Sequence, residues 1–213
     1  MSESLKHVRK DYQKGKLEWE QLPDEPTEFF ENWLNEAKEE DPTDYNCMTI
    51  STIDKDGYPQ GRIVLLRGFE NGQLKFYTNY NSDKGQELAV TPKISVNFFW
   101  KELERQVRVT GVVQRLSPEE SDAYFASRPR ASRIGAWASE QSSPLETRDQ
   151  LEIRVEELVK KFAEGDVPRP PHWGGYAVIP IKWEFWQGRA SRLHDRFVYS
   201  KSGESWIKSR IQP

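Results

Sequence analysis

The chain has 213 residues, 36% of them apolar and 31% charged, with a formal net charge of -3. This is the composition of a water-exposed globular protein able to bury a sizeable core, and it excludes collagen-like, low-complexity and largely disordered chains. The negative balance gives no global attraction to nucleic acid or to an anionic membrane, and no apolar run approaches membrane-spanning length. The single cysteine, Cys47, cannot form an internal disulfide, and the N-terminus lacks a basic-then-apolar secretion pattern, so a reducing cytoplasm is the expected setting. Charge is distributed unevenly: acids dominate from Glu18 to Asp44, whereas Arg189, Arg192, Arg196, Lys201, Lys208 and Arg210 form a basic C-terminal stretch.

From the N-terminus, Phe29, Phe30, Trp33, Leu34 and Ala37 recur at helical spacing after Pro26, which predicts an amphipathic helix over Thr27 to Glu40. The period then changes. Cys47 to Ile53, Arg62 to Phe69 and Leu74 to Asn79 are β-branched and aromatic runs separated by Asp56-Gly57 and Asn71-Gly72, dipeptides that favour tight hairpin turns and therefore antiparallel pairing. Ser82 is placed to cap a short helix ending near Pro92, and strand-like runs follow at Ile94 to Trp100 and Gln106 to Leu116. Ser117-Pro118-Glu119-Glu120 has the form of a capping box, opening a helix that Pro129 should stop near Arg128. A longer helix is expected over Thr147 to Ala163, ended at Gly165. Strands at Tyr176 to Trp186, Leu193 to Ser200 and Ser205 to Ser209 close the chain. Antiparallel strands with helices inserted between them predict a mostly β, closed or partly closed barrel.

Several chemistries find no support. There is no glycine-rich dinucleotide or phosphate-loop motif, and His7, His172 and His194 lack metal-ligand spacing with one another or with Cys47, so no metal is expected. Cys47 opens an apolar strand, where a small buried hydrophobe is expected rather than a nucleophile. His194-Asp195 are neighbours on a predicted strand, so they should point to opposite faces and form no triad.

Three constellations remain. Tyr124 and Arg128 are four apart on one helix and so share a face, with Ser132 just beyond; together they suit a phosphate monoester or make an ordinary solvated turn. Arg62 and Arg67 bracket an apolar strand, and their spacing sends them to opposite faces, either to bind two anions or to cap the strand's ends. Strand alternation places Arg192, His194 and Arg196 on one face beside the aromatics of Glu184 to Gln187, a surface for a flat anionic heterocycle or stacked single-stranded nucleic acid.

The motifs R-I-V-L-L-R at Arg62 to Arg67, Y-F-A-S-R-P-R-A-S-R-I-G-A-W at Tyr124 to Trp137 and E-F-W-Q-G-R-A-S-R-L-H-D-R-F at Glu184 to Phe197 resemble the pyridoxamine 5'-phosphate oxidase family. L-E-R-Q-V at Leu103 to Val107, Q-S-S at Gln141 to Ser143 and W-G-G at Trp173 to Gly175 extend the resemblance over essentially the whole chain. The resemblance implies one antiparallel FMN-binding split β-barrel over 1–213, with 1–20 a mobile segment and 170–213 the dimerisation and active-site strands. It implies a homodimer carrying FMN at the subunit interface, no nucleic-acid or membrane partner, and oxidation of pyridoxamine or pyridoxine 5'-phosphate to pyridoxal 5'-phosphate by hydride loss, with O2 as acceptor and H2O2 as product. By position, the run Arg62, Ile63, Val64, Leu65, Leu66 and Arg67, with Tyr77, Thr78, Lys84, Gln106, Gln141, Ser142, Trp186 and Arg196, matches family FMN contacts, some serving the partner's flavin. Arg67, Tyr124, Arg128 and Ser132 match contacts to the substrate phosphate. Arg192 and His194 match the residues beside the substrate ring, and Arg9 to Tyr12 a segment that closes over the site. Two departures stand out: Arg67 where the family commonly has Lys, and Asp83 where it commonly has a basic residue. The alternatives are a split-barrel flavin or deazaflavin reductase and a non-catalytic FMN or pyridoxal phosphate binder. The phosphate trio and the Arg192 to Arg196 segment weigh against the reductase.

Overall fold

The computed structural model describes residues 11–213. Helix α1 (Pro26–Glu40) forms where the periodicity predicts it, with Pro26 in the first turn, where its missing N–H costs nothing. Pro26, Phe29, Phe30, Trp33 and Ala37 are buried along one stripe. Strands β1 (Cys47–Ile53), β2 (Pro59–Leu65), β3 (Gly68–Glu70) and β4 (Gln73–Asn79) precede helix α2 (Asp83–Val90). Strands β5 (Lys93–Trp100) and β6 (Arg105–Arg115) lead into helices α3 (Pro118–Ser127), α4 (Arg130–Ala138) and α5 (Arg148–Lys161). Strands β7 (Trp173–Gln187), β8 (Asp195–Ser202) and β9 (Ser205–Arg210) end the chain.

The strands form one sheet in the order β2-β1-β5-β6-β7-β4-β3, with β8 pairing β7 and β9 pairing β8. The pairs β3–β4, β4–β7, β7–β8 and β8–β9 are antiparallel. At the β3–β4 hairpin Glu70 faces Gln73, so Asn71-Gly72 is a two-residue loop, and both residues have positive φ (52° and 72°). A tight mirror-image turn needs that geometry, which asparagine and glycine tolerate best.

The chain forms two compact units. The first takes residues up to Ile50 with Ser95–Gly111 and Pro180–Pro213. Its core is aromatic: Phe30 lies 5.2 Å from Phe98 and 5.1 Å from Trp183, and Phe29 lies 4.6 Å from Phe185, ring centre to ring centre. Phe30 is fully buried, so Phe30→Ala costs about 3–5 kcal/mol in lost burial and cavity formation. The second unit takes Ser51–Ile94 and Val112–Ile179. Its buried residues include Leu74, Phe76, Leu88, Phe125, Ile134, Tyr176 and Val178.

Half of the predicted capping box is observed: Ser117 Oγ accepts the Glu120 N–H at 3.1 Å, while the Glu120 carboxylate accepts from Lys75 Nζ at 3.0 Å, and α3 hands over to an extended Arg128 (ψ 147°). Thr147 likewise accepts the Gln150 N–H at the start of α5, which ends at Lys161, before Gly165. Other expectations needed correction. The Arg62 to Phe69 run is two strands, because the chain leaves β2 after Leu65 and resumes pairing at Gly68. Pro129 separates two helices, α3 and α4, instead of ending helical structure. Ser82 makes no side-chain cap; its Oγ donates to the Asn79 carbonyl at 2.6 Å. Among the described residues no helix is long and apolar enough to cross a membrane, and no cluster of His, Cys, Asp or Glu is arranged to hold a metal ion.

Candidate active site

Twelve of the residues singled out from the sequence line one cleft of about 600 Å³ in the second unit. They are Arg62, Ile63, Val64, Leu65, Arg67, Tyr77, Thr78, Lys84, Tyr124, Arg128, Ser132 and Gln141. β2 supplies Arg62 through Leu65, β4 supplies Tyr77 and Thr78, α2 supplies Lys84, and the α3–α4 corner supplies Tyr124, Arg128 and Ser132. Arg62 and Arg67 thus line the same cleft, against the expectation of opposite faces. Alternation stops with β2 at Leu65, and Arg67 sits in the connection to β3, its N–H bonded to the Lys75 carbonyl at 2.8 Å. Leu66 is buried and does not line the cleft, and Ser142, with a positive φ of 72°, follows Gln141 just outside it.

The cleft is cationic and incompletely neutralised. Arg62 is satisfied: Nη2 reaches Glu87 Oε2 at 3.1 Å, and Nη1 bonds Thr52 Oγ1, which itself donates to Glu87. Lys84 is buried, yet its Nζ meets only neutral oxygens, Ser82 Oγ and Gln141 Oε1, each at 3.3 Å. Burial, and then the neighbouring Arg62, hold its ammonium below the usual lysine range, while Asp83 and Glu87 oppose the shift. Arg128 lies 4.6 Å over the Trp173 ring, and its Nη1 is buried without a hydrogen-bond partner. Burial lowers its pKa, Tyr124 opposes this, and Arg67 lowers it further by like-charge repulsion. A dianion would satisfy the orphaned guanidinium N–H and relieve both repulsions.

One wall of the cleft is aromatic. Tyr77 stacks on Tyr124 at 3.8 Å with an interplanar angle of 16°, and on Trp173 at 5.6 Å. Burial pushes the Tyr77 hydroxyl pKa up, so it stays a neutral donor at physiological pH. A flat ring bearing a phosphate therefore fits the donor set: guanidinium groups and hydroxyls at one place, planar rings beside them.

The remaining site residues lie in the first unit. His194 packs against Trp186 (4.6 Å) and Tyr12 (5.8 Å), and Tyr12 meets Trp186 edge-on at 5.5 Å. Gly188 permits this approach, because a Cβ there would come within 2.7 Å of the Tyr12 ring. Arg196 is held by Glu184, whose Oε1 accepts from Nε at 2.9 Å and Nη2 at 2.6 Å, while Oε2 takes Arg108 at 3.1 Å. Gln106 is half-buried on β6. Arg9 lies outside the described residues.

The alternation argument for Arg192, His194 and Arg196 fails. β8 begins only at Asp195, and Ala190–Arg192 forms a short 3-10 turn in which Ser191 (φ 54°) and Arg192 (φ 63°) are left-handed. Arg192 is exposed, and His194 is placed by the turn instead of by a strand. Asp195 accepts from Leu17 N–H, Arg189 Nη1 and Arg210 Nη2, at 3.1, 2.8 and 3.2 Å.

The sequence reasoning assigned no role to Trp173, Glu87, Thr52 or Glu184. Trp173 and Glu184 stand inside motifs quoted above, which was the available signal. Glu87 and Thr52 become visible only when β1, β2 and α2 are folded.

The sequence model described as pyridoxamine 5'-phosphate oxidase matches residues 34–162. The model described as the pyridoxine 5'-phosphate oxidase C-terminal dimerisation region matches residues 173–213. The chain belongs to the pyridoxamine 5'-phosphate oxidase family. A pyridoxine/pyridoxamine 5'-phosphate oxidase of Chromobacterium violaceum is 51% identical over 215 residues, covering 100% of both chains. One from Gloeothece citriformis is 50% identical over 214 residues, again covering 100% of both. Among solved structures, PhzG from Burkholderia lata, in complex with tetrahydrophenazine-1-carboxylic acid, superposes with a TM-score of 0.85 at 28% identity, over 91% of this chain and 95% of that one. A pyridoxamine 5'-phosphate oxidase-related, FMN-binding protein of Nostoc punctiforme has a TM-score of 0.71 at 15% identity, over 90% and 100%, which supports the fold alone. The expected split β-barrel of the oxidase family is therefore the fold of this chain.

Proposed function

We propose that this protein is an FMN-dependent oxidase of vitamin B6 metabolism, converting pyridoxamine 5'-phosphate and pyridoxine 5'-phosphate to pyridoxal 5'-phosphate with O2 as acceptor and H2O2 as product. It works as a cytoplasmic homodimer, a reading supported by the match of residues 173–213 to the family's dimerisation region. The observation that carries the chemistry is the cleft where the Arg128 Nη1 is buried without a partner, close enough to Arg67 for like-charge repulsion, beside Tyr124 and Ser132.

In this reading Arg67, Tyr124, Arg128 and Ser132 hold the substrate phosphate. Arg62, Tyr77, Thr78, Lys84, Gln106, Gln141, Ser142, Trp186 and Arg196 hold FMN, some of them serving the flavin of the second protomer, with the backbone of Ile63 to Leu66 alongside. When bound, FMN supplies the two-electron acceptor, so the side chains need only bind, orient and tune charge. Glu87 and Glu184 fix the Arg62 and Arg196 forks, so that these cations meet an anion without losing rotamer freedom at that moment. Arg192 contributes a fixed positive charge from its exposed turn, and Tyr12 and Trp186 pin the His194 ring beside it.

Purification followed by flavin release and an oxygen electrode tests the proposal. The expected result is a yellow protein that releases FMN and takes up oxygen with pyridoxamine 5'-phosphate. Recovery of FAD, or a flavin-replete protein that consumes no oxygen with either phosphate ester, would refute it.

A further inference from the structure

The turn between β7 and β8 contains a hydrogen bond whose direction is fixed by chemistry. The Arg189 backbone N–H can only donate, and its acceptor is His194 Nδ1 at 3.1 Å. Nδ1 must therefore present a lone pair, and a neutral ring then carries its one proton on Nε2. A second proton, on Nδ1, would set two N–H groups against each other.

The surroundings act the same way. Asp195, the nearest acid in sequence, spends its oxygens on Leu17, Arg189 and Arg210 and not on the ring. Arg192 and Arg196 add positive charge, and Tyr12 and Trp186 cover the ring. Burial first, then these two arginines, hold the imidazole pKa below its usual value, with Asp195 opposing. The same bond helps close a turn in which Ser191 and Arg192 are both left-handed. Such residues cost about 1–3 kcal/mol each and persist only when their surroundings over-determine them.

We propose that His194 serves as a neutral imidazole in the Nε2–H tautomer, donating a hydrogen bond to the substrate and not acting as a base, while its Nδ1 holds the turn that presents Arg192. This rests on the reading above that His194 lies beside the substrate ring. A donor meets a lone pair, which a free amine or an alcohol oxygen has and an ammonium group lacks. The His194 proton stays on Nε2 throughout, so the residue selects the electron-rich form of the substrate without taking a proton from it.

Nitrogen-15 NMR of histidine-labelled protein carrying its flavin, without substrate, reads the tautomer directly, the His194 signals being those lost in His194→Gln. The expected pattern at neutral pH is an unprotonated Nδ1 and a protonated Nε2; an Nδ1–H tautomer or an imidazolium overturns the proposal whatever the enzyme's activity. Two variants test the donor role. His194→Gln keeps an amide N–H near the Nε2 position, whereas His194→Asn keeps an oxygen near Nδ1 and loses the donor. In flavin-replete protein, Gln is expected to retain at least about tenfold more kcat than Asn, corresponding to ~1.4 kcal/mol in the barrier. Equal losses, or no loss in either variant, overturn the donor role. Wild-type protein with the expected tautomer but no turnover of phosphate substrates would instead defeat the proposed function.

Discussion

Replacing Arg128 by alanine should move binding and stability in different ways. In the free protein the Arg128 guanidinium is desolvated, its Nη1 has no partner, and Arg67 repels it. Alanine removes an unsatisfied buried donor, a relief of about 1–3 kcal/mol, and sacrifices the cation–π contact with Trp173, about 0.5–2 kcal/mol. These nearly cancel, so Tm should shift by less than about 4 °C. For substrate the loss is one-sided: a charge-assisted bond to phosphate contributes about 1.5–3 kcal/mol, or roughly 12- to 160-fold in affinity. The assay is binding and steady-state turnover of pyridoxamine 5'-phosphate against unphosphorylated pyridoxamine, with FMN content and Tm measured on the same sample. Affinity for the phosphate ester should fall by that factor while the unphosphorylated amine is unaffected. Equal impairment of both, or a fall in Tm beyond about 10 °C, would show that Arg128 braces the α3–α4 corner and has no phosphate role.

Other expectations concern the flavin contacts and the turn. Lys84→Met should raise apoprotein Tm, because it removes a buried cation that meets only neutral oxygens, yet weaken FMN binding at least about tenfold in a fluorescence titration. Glu184→Gln leaves Arg196 and Arg108 facing a neutral amide, so calorimetry should show a loss of about 1–3 kcal/mol together with weaker FMN binding; unchanged values for both would deny Glu184 a positioning role. Arg192→Ala keeps a Cβ at the left-handed position, so it isolates the side chain; anaerobic stopped-flow reduction by saturating pyridoxamine 5'-phosphate should slow at least about tenfold with FMN content normal.

Local chemistry made much of the fold legible. Pro26 and the aromatic stripe of α1, the Asn71-Gly72 turn and the Ser117 cap each carry their own geometric demand, and each element formed where that demand placed it. Tyr124, Arg128 and Ser132 do line one cleft, but not by the helical spacing expected of them, since Arg128 lies past the end of α3 in extended backbone and Ser132 stands on α4. What failed were inferences that extended one period too far. Arg67 and the Arg192 to Arg196 segment were assigned strand faces, but the strand had already ended in one case and had not begun in the other. Nothing in Ser191 or Arg192 announces a left-handed turn, because neither is glycine or asparagine; only the closed turn enforces it. The Arg62–Glu87–Thr52 group was equally invisible, its members meeting from β1, β2 and α2.

Asp83 is one of the two positions, with Arg67, where the resemblance leads one to expect a different residue, and its placement bears on how much that matters. It is exposed in the first turn of α2, where an acid complements the helix dipole, and it lines a neighbouring depression with Asp54, Gln86 and Glu87; Arg62 borders both this depression and the cleft that holds Lys84, Arg67 and Arg128, but Asp83 does not line the cleft. Because the side chain is exposed, solvent screens its charge, and a single exposed pair contributes no more than about 1 kcal/mol. It also favours the charged form of Lys84, an effect of opposite sign on anion binding. Asp83→Asn should therefore change FMN affinity by less than about fivefold and lower Tm slightly through the lost dipole interaction, about 0.3–1 kcal/mol. Titration of apoprotein with FMN at low and high salt is the measurement, and any difference between the two proteins should shrink as salt rises. A change beyond tenfold, or one that persists in high salt, would mean that Asp83 turns into the cleft and meets the flavin phosphate directly.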